Sequence, residues 1–246
     1  MPSFLLLPGL ACDAELWREQ RPALERFGPV AVADVHERFP TLPAMAAALL
    51  AEHPGRHVLI GASMGGMLAL HVQRLAPARV AALALFGTTA RADTPQQLRL
   101  RTGAIALLEQ GRLDELLQAG LVFALHPDRG RDVALTERYL SMLRRAGAAQ
   151  LVRQNRAVMA RADLRDGLAQ VDCPTLVAVG EADVLTPPER SVEIAAAIRG
   201  ARLELVAGAG HMLTMEQPAR VNALLARWLE GLAIADADAG DCTRVD

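Results

Sequence analysis

The stretch Gly61-Ala62-Ser63-Met64-Gly65 decides the fold prediction for this chain. It follows the apolar run Val58-Leu59-Ile60 and opens a segment with helical apolar spacing, so a strand, a tight turn and a helix are predicted in succession. A side chain at either glycine would crowd such a turn, and the serine between them takes a strained backbone conformation. A Gly-x-Ser-x-Gly turn between a strand and a helix is typical of a serine whose hydroxyl acts as a nucleophile.

Short apolar runs alternate with longer helical patterns along the chain, which indicates an α/β fold. We expect a mostly parallel sheet of about six strands, with helices on both faces. The core of this fold is predicted to comprise residues 1–88 and 170–234. The predicted strands are residues 3–7, 30–34, 57–60, 80–86, 175–180 and 202–206.

The alternation stops between residues 89 and 169, where several helical patterns follow one another without a strand. This segment is predicted to form a helical cap inserted in the core, with helices at 94–110, 112–123, 132–147 and 148–161. The tail from 235 to 246 is rich in Ala, Asp and Gly, and we expect it to be disordered.

Composition excludes several kinds of function. The 246 residues carry a net charge of −2, and no basic run is present that would follow a phosphate backbone, so no nucleic-acid partner is expected. All 26 basic residues are Arg, which excludes a Schiff-base lysine and the lysine of a phosphate-binding P-loop. No cluster with metal-ligand spacing and no dinucleotide-binding glycine motif is present, so neither a metal nor another cofactor is expected.

The start of the chain and the spacing of the cysteines indicate where the protein is located. The apolar run at residues 3–7 is too short for a signal peptide or a membrane span, so no membrane association is expected. Cys12, Cys173 and Cys242 are odd in number and lie far apart, which favours reduced thiols and a cytoplasmic location.

A nucleophilic serine needs a base to take its proton and an acid to orient that base. Asp183 follows the predicted strand 175–180, and His211 lies in Gly208-Ala209-Gly210-His211-Met212 after the last predicted strand. Glu181 is a second candidate for the acid, although the spacing after Gly180 favours Asp183. The candidate catalytic residues therefore follow the chain order Ser63, Asp183, His211.

These motifs, together with Leu7-Pro8-Gly9-Leu10, resemble the α/β-hydrolase family, and in particular its compact esterases. The turn geometry assigns one oxyanion-binding amide to Met64, directly after the serine. The resemblance implies that the second amide is that of Leu10. Most members of this family have His-Gly where this chain has Pro8-Gly9. The sequence therefore does not predict the conformation of this loop or the hydrogen bonds that shape it.

The resemblance implies a serine hydrolase without a cofactor. Its small-molecule partner would be a carboxylic ester, lactone or thioester with a small to medium, largely apolar group. A lyase or haloperoxidase of the same fold and a ligand-binding receptor with little turnover are the alternatives. The cap arginines 144, 145, 153, 156 and 161 either meet a substrate carboxylate or form a solvated face, which we favour. The role of His126 and the choice between monomer and homodimer stay open.

Overall fold

The computed structural model describes residues 3–241, and side chains as far as residue 232. Six strands form one sheet in the order β2-β1-β3-β4-β5-β6, and every neighbouring pair is parallel. The predicted fold class is confirmed, because all six strands form within two residues of their predicted bounds. The strands are β1 (Ser3–Leu7), β2 (Val30–Val32), β3 (His57–Ala62), β4 (Val80–Phe86), β5 (Thr175–Gly180) and β6 (Arg202–Val206).

Helices cover both faces of the sheet, which explains why the central strands are apolar at nearly every position after the first. Along β1, Phe4 and Leu6 belong to the apolar cluster on one face, and Leu5 and Leu7 belong to the cluster on the other face. The ten helices of the described residues are α1 (Gln20–Glu25), α2 (Val35–Arg38), α3 (Leu42–Glu52), α4 (Met64–Leu75), α5 (Pro95–Glu109), α6 (Leu113–Ala124), α7 (Val133–Met159), α8 (Pro188–Ala197), α9 (Leu213–Glu216) and α10 (Pro218–Asp241).

The sequence predicts one helix from 13 to 27, and the structure shows that this prediction is wrong. A 3-10 helix at Ala14–Trp17 is followed by the separate helix α1. Pro22 explains the break, because it has no N–H to bond the carbonyl of Arg18 and is tolerated only in the first turn of α1.

Helices α5, α6 and α7, which we call the cap helices, lie between β4 and β5 and pack against one another. Gly147 has φ 71° and ψ 168° and kinks α7, so two helical segments meet there as the sequence predicts. The limits of the cap, 89–169, stay a prediction.

The last helix is longer than predicted. It continues to Asp241, whereas the sequence pattern ends it at Leu232. The predicted disordered tail, 235–246, falls outside the residues whose side chains are described, and 242–246 lie outside the described backbone. Among the helices that are described, none has the length and apolar character needed to cross a bilayer.

Candidate active site

Ser63 occupies the turn between β3 and α4, at the carboxyl edge of the sheet. Its φ of 52° and ψ of −115° lie outside the conformations that a serine ordinarily adopts. A Cβ at Gly61 would lie 2.4 Å from the carbonyl oxygen of Gly65, and a Cβ at Gly65 would lie 1.9 Å from that of Leu7. Only glycine fits at these two positions, because the neighbouring backbone leaves no room for a Cβ. The turn between them holds the serine in its strained conformation.

His211 lies between Ser63 and Asp183 and contacts both side chains. Its Nε2 is 3.0 Å from the hydroxyl oxygen of Ser63, and its Nδ1 is 2.8 Å from Oδ2 of Asp183. Because an ionised carboxylate only accepts hydrogen bonds, Nδ1 carries the proton and Nε2 is free to accept one from the serine. The structure thus brings together the three side chains that the sequence singles out.

Burial of the Asp183 carboxylate is offset by the donors around it. One oxygen accepts from the backbone amides of Leu185 and Thr186, at 2.9 Å each, and the other accepts from the Thr186 hydroxyl at 2.8 Å. Burial alone would raise the pKa of this carboxyl, but the charge of His211 and these hydrogen bonds hold it below the ordinary value. Asp183 is therefore ionised at neutral pH.

The imidazole of His211 is subject to opposing effects. Burial lowers its pKa, whereas the Asp183 carboxylate and the hydrogen bond to it raise the pKa. The pKa of His211 lies above the ordinary value of 6.5 as a result.

Glu181, the alternative acid, does not contact the histidine. Its carboxylate accepts a hydrogen bond from the amide of Gly208 at 2.6 Å. Asp183 is thus the carboxylate that contacts the histidine.

The loop after β1 lies beside the serine. A Cβ at Gly9 would be 3.4 Å from the Cβ of Ser63, so the backbone of this loop is in contact with the turn that carries Ser63. Among the described residues, the amides of Leu10 and Met64 donate to no protein acceptor. Both predicted oxyanion donors are therefore located on segments that contact or adjoin Ser63, with their N–H groups unengaged.

Three residues that sequence reasoning missed hold these loops in place. Thr186 bonds Asp183, and its position three residues later in an Asp-x-x-Thr turn is a local signal that sequence analysis can use. Buried Gln154 accepts from the amide of Ala11 at 2.7 Å. Buried Glu216 accepts from the amides of Gly210 and His126 at 2.9 and 2.6 Å.

The cap arginines are mostly paired with carboxylates at the surface. Arg161 does not lie at the surface, because its side chain is buried in an ion pair with Asp93. The prediction of a solvated face is therefore wrong at this position. The other four contact Asp114 (Arg144), Asp13 (Arg145), the carbonyl of Glu37 (Arg153) and Glu109 (Arg156). Within the described part of the chain, no group of three or more His, Cys, Asp or Glu side chains is arranged to hold a metal ion.

Comparisons with known proteins identify the family. The family model of the alpha/beta hydrolase fold matches residues 2–218. The pimeloyl-[acyl-carrier protein] methyl ester esterase of Neisseria meningitidis serogroup B (strain H44/76) is 25% identical over 242 residues, which cover 92% of each chain. A thermophilic esterase from Thermogutta terrifontis superposes with a TM-score of 0.85 at 27% identity, covering 94% of this chain and 90% of its own.

The enol-lactonase from Burkholderia xenovorans LB400 shares the fold with the same TM-score of 0.85, at 23% identity over 93% of this chain and 91% of its own. The family model spans all the strands of the sheet and the residues that converge on Ser63. The chain belongs to the alpha/beta hydrolase family.

Proposed function

We propose that this protein hydrolyses carboxylic esters, with Ser63 as the nucleophile, His211 as the general base and Asp183 as the carboxylate that orients the imidazole. The observation that carries the proposal is the continuous chain of hydrogen bonds from Asp183 through His211 to Ser63, on a strained turn. The relatives from Neisseria meningitidis and Thermogutta terrifontis, both described as esterases, support the same reaction.

In the first half of the reaction, the Ser63 oxygen attacks the ester carbonyl carbon, and its proton passes to Nε2 of His211. The tetrahedral intermediate then collapses as His211 gives that proton to the leaving alkoxide. The alcohol departs, and an acyl group remains on Ser63. Asp183 stays ionised and stabilises the imidazolium.

In the second half, water attacks the acyl carbonyl while Nε2 of His211 takes a proton from it. Collapse of this second intermediate breaks the bond to the Ser63 oxygen, which recovers its proton from His211. The products are one acid and one alcohol, and the enzyme returns to its starting state.

Both intermediates carry negative charge on the former carbonyl oxygen. The amides of Leu10 and Met64 are proposed to donate to this oxyanion. Met64 is the first residue of α4, where unpaired N–H groups and the helix dipole favour an anion. Loss of one such donor typically costs about 3–4 kcal/mol of transition-state stabilisation.

The substrate class is proposed to be an ester, lactone or thioester with a small to medium, largely apolar group. Exposed apolar side chains on segments that adjoin the site support this proposal. Val184 and Leu185 directly follow Asp183 and are 58% and 46% exposed, and Phe123 of α6 is 53% exposed. Such exposed apolar surface next to a catalytic site favours apolar ligands.

The partner is accordingly proposed to be a small molecule and neither nucleic acid nor membrane, in keeping with the near-zero net charge. A cytoplasmic location is proposed as well. It is supported by Cys12 and Cys173, which are both buried and unpaired.

The test is the pre-steady-state hydrolysis of p-nitrophenyl esters of increasing acyl length. We expect a burst of about one equivalent of p-nitrophenol per chain followed by steady turnover, because these activated esters acylate the serine faster than water removes the acyl group. Ser63→Ala is expected to abolish both phases.

Ser3→Ala is the matched control, because Ser3 also bonds a histidine, His57, at 2.6 Å but lies at the opposite end of the sheet. It is expected to leave the burst intact. A lyase or haloperoxidase activity without any burst would contradict the proposal, and so would ligand binding with no turnover on any ester.

A further inference from the structure

The loop that carries the amide of Leu10 contains a strained residue. Gly9 to Cys12 form a tight turn, closed by a hydrogen bond of 3.1 Å from the Cys12 amide to the Gly9 carbonyl. Ala11 occupies the third position of this turn with φ 59°, where turns ordinarily have glycine. A side chain is disfavoured in this left-handed conformation, so contacts from outside the turn are needed to hold it.

The turn also fixes the direction of the Leu10 amide. In a trans peptide the C=O and N–H point in opposite directions, and the described residues contain no cis peptide. Because the Gly9 carbonyl points into the turn toward Cys12, the N–H of Leu10 in the same peptide unit points out of it. Any change in the turn therefore re-aims the proposed oxyanion donor.

Gln154 of α7 supplies one of the outside contacts. Its Oε1 accepts from the amide of Ala11 at 2.7 Å, and its Nε2 donates to the carbonyl of His36 at 3.0 Å. The side chain is fully buried, so both bonds are made away from water. These partners define the orientation of the carboxamide, since an N–H needs the oxygen and a carbonyl needs the nitrogen.

His36 supplies the other contact. Its Nε2 lies 2.8 Å from the carbonyl oxygen of Cys12 and donates to it. Burial lowers the pKa of His36, so the ring is neutral at neutral pH with this nitrogen protonated. Gln154 and His36 thus bond the turn at two successive residues, Ala11 and Cys12, and bond each other.

We infer that Gln154 is a positioning residue for the oxyanion-binding loop: a side chain of the cap that holds Ala11 in its strained conformation and so aims the Leu10 amide at the reacting carbonyl. This inference rests on the proposed function. The side chain that holds the loop is thus 143 positions away from Ala11 in the sequence.

The variant Gln154→Met keeps the volume and removes both hydrogen bonds. We expect kcat for p-nitrophenyl esters to fall about 10- to 100-fold with KM within about 2-fold, because a misaimed donor affects the transition state more than the bound ester. The affinity for an arylboronic acid, which forms a charged tetrahedral adduct on the serine, is expected to fall in parallel with kcat.

Two further variants separate positioning from folding. Gln154→Glu keeps the acceptor for the Ala11 amide, and in this buried site the neutral acid is favoured, whose O–H can donate to the carbonyl of His36, so this variant is expected to retain more activity than Gln154→Met. Adding Ala11→Gly to Gln154→Met is expected to restore part of kcat, because glycine adopts the positive φ without strain.

Gln73→Met is the control, since Gln73 is a buried glutamine at the far end of α4 from Ser63. Its kcat is expected to stay within about 2-fold of the wild type. An equal loss of kcat in Gln73→Met, unchanged kcat in Gln154→Met, or reduced kcat with unchanged boronic acid affinity would each overturn the inference. A wild-type protein inert toward every ester would instead overturn the proposed function, and the inference with it.

Discussion

Oδ2 of Asp183 lies 2.8 Å from Nδ1 of His211, and both side chains are almost completely shielded from solvent. The two residues sit on loops that follow adjacent strands, β5 and β6. Close backbone contact joins these loops, because a Cβ at Gly180 would lie 2.1 Å from the carbonyl oxygen of Gly210. The acid and the base are therefore positioned by the sheet itself.

This pair predicts a specific pH dependence. Only neutral His211 accepts the serine proton, so kcat/KM rises with pH through a midpoint above the ordinary value of 6.5. Asp183→Asn removes the charge that raises this pKa, so the midpoint is expected to move to lower pH. The maximal rate is expected to fall about 10⁴-fold, because the asparagine side chain also favours the wrong tautomer.

The measurement is kcat/KM from about pH 5 to 9, with Glu181→Gln as the control. Glu181 bonds the amide of Gly208 rather than the histidine, so this variant is expected to keep the wild-type midpoint. A loss in Glu181→Gln as large as that in Asp183→Asn would refute the assignment of the acid.

Thr186→Val tests the hydrogen bond that the Thr186 hydroxyl donates to the Asp183 carboxylate. The change removes the hydroxyl that donates to Asp183 at 2.8 Å and keeps the volume and the backbone amide. A hydrogen bond to a charged group contributes about 1.5–3 kcal/mol, so kcat/KM is expected to fall by about one to two orders of magnitude. Steady-state kinetics at the pH optimum measure this loss, whereas Thr186→Ser, which keeps the hydroxyl, is expected to retain most of the activity.

Gly65→Ala is expected to prevent folding or to lower the free energy of unfolding by more than about 3 kcal/mol. Its Cβ would lie 1.9 Å from the carbonyl oxygen of Leu7, and backbone cannot yield as a side chain does. Gly103→Ala is the matched control, because Gly103 lies inside α5 with no atom within 4 Å of the added Cβ. It is expected to stabilise the protein by about 0.5–1 kcal/mol in urea denaturation.

Glu216 links the histidine loop to the cap by accepting from the amides of Gly210 and His126. Glu216→Gln turns one acceptor into an NH₂ group that faces an amide donor, which costs about 1–3 kcal/mol in a buried site. Both the melting temperature and kcat are expected to fall. Glu115→Gln, at the exposed ion pair with Arg112, is expected to change neither, and unchanged kcat in Glu216→Gln would show that this link does not position His211.

Burial makes Cys12 and Cys173 unreactive, because it raises their thiol pKa values to about 12 and about 11. Iodoacetamide at neutral pH is expected to leave both unmodified in the folded protein and to modify both in guanidinium chloride. Peptide mapping by mass spectrometry measures the difference, and rapid alkylation of either thiol in the native state would contradict the burial described above.

The strands and the three candidate catalytic residues were predictable because their signals are local. A buried parallel strand is a short apolar run, and Ser63, Asp183 and His211 lie one, three and five residues after the end of such a strand. Pro22 is likewise a local signal for the break before α1, although the apolar spacing of residues 13–27 indicates one continuous helix.

The side chains that hydrogen-bond the loops of the site were not predictable in the same way. Gln154 and Glu216 reach partners 143 and 90 positions away, and neither residue lies in a motif or a periodic pattern that indicates its partner. Only the folded chain brings them to these partners, because Gln154 lies on α7 and Glu216 on α9. The strain at Ala11 is likewise a property of the turn and its outside contacts, since alanine itself has no preference for positive φ.

The central claim is that Ser63 is an activated nucleophile, and covalent labelling with a fluorophosphonate followed by peptide mass spectrometry tests it most directly. The account predicts about one adduct per chain, located on Ser63, absent in Ser63→Ala and formed much more slowly in Asp183→Asn. Ser3, which also bonds a histidine, serves as the internal comparison and is expected to stay unmodified. Labelling at Ser3, or no labelling of Ser63 under conditions that modify a known serine esterase, would contradict the account.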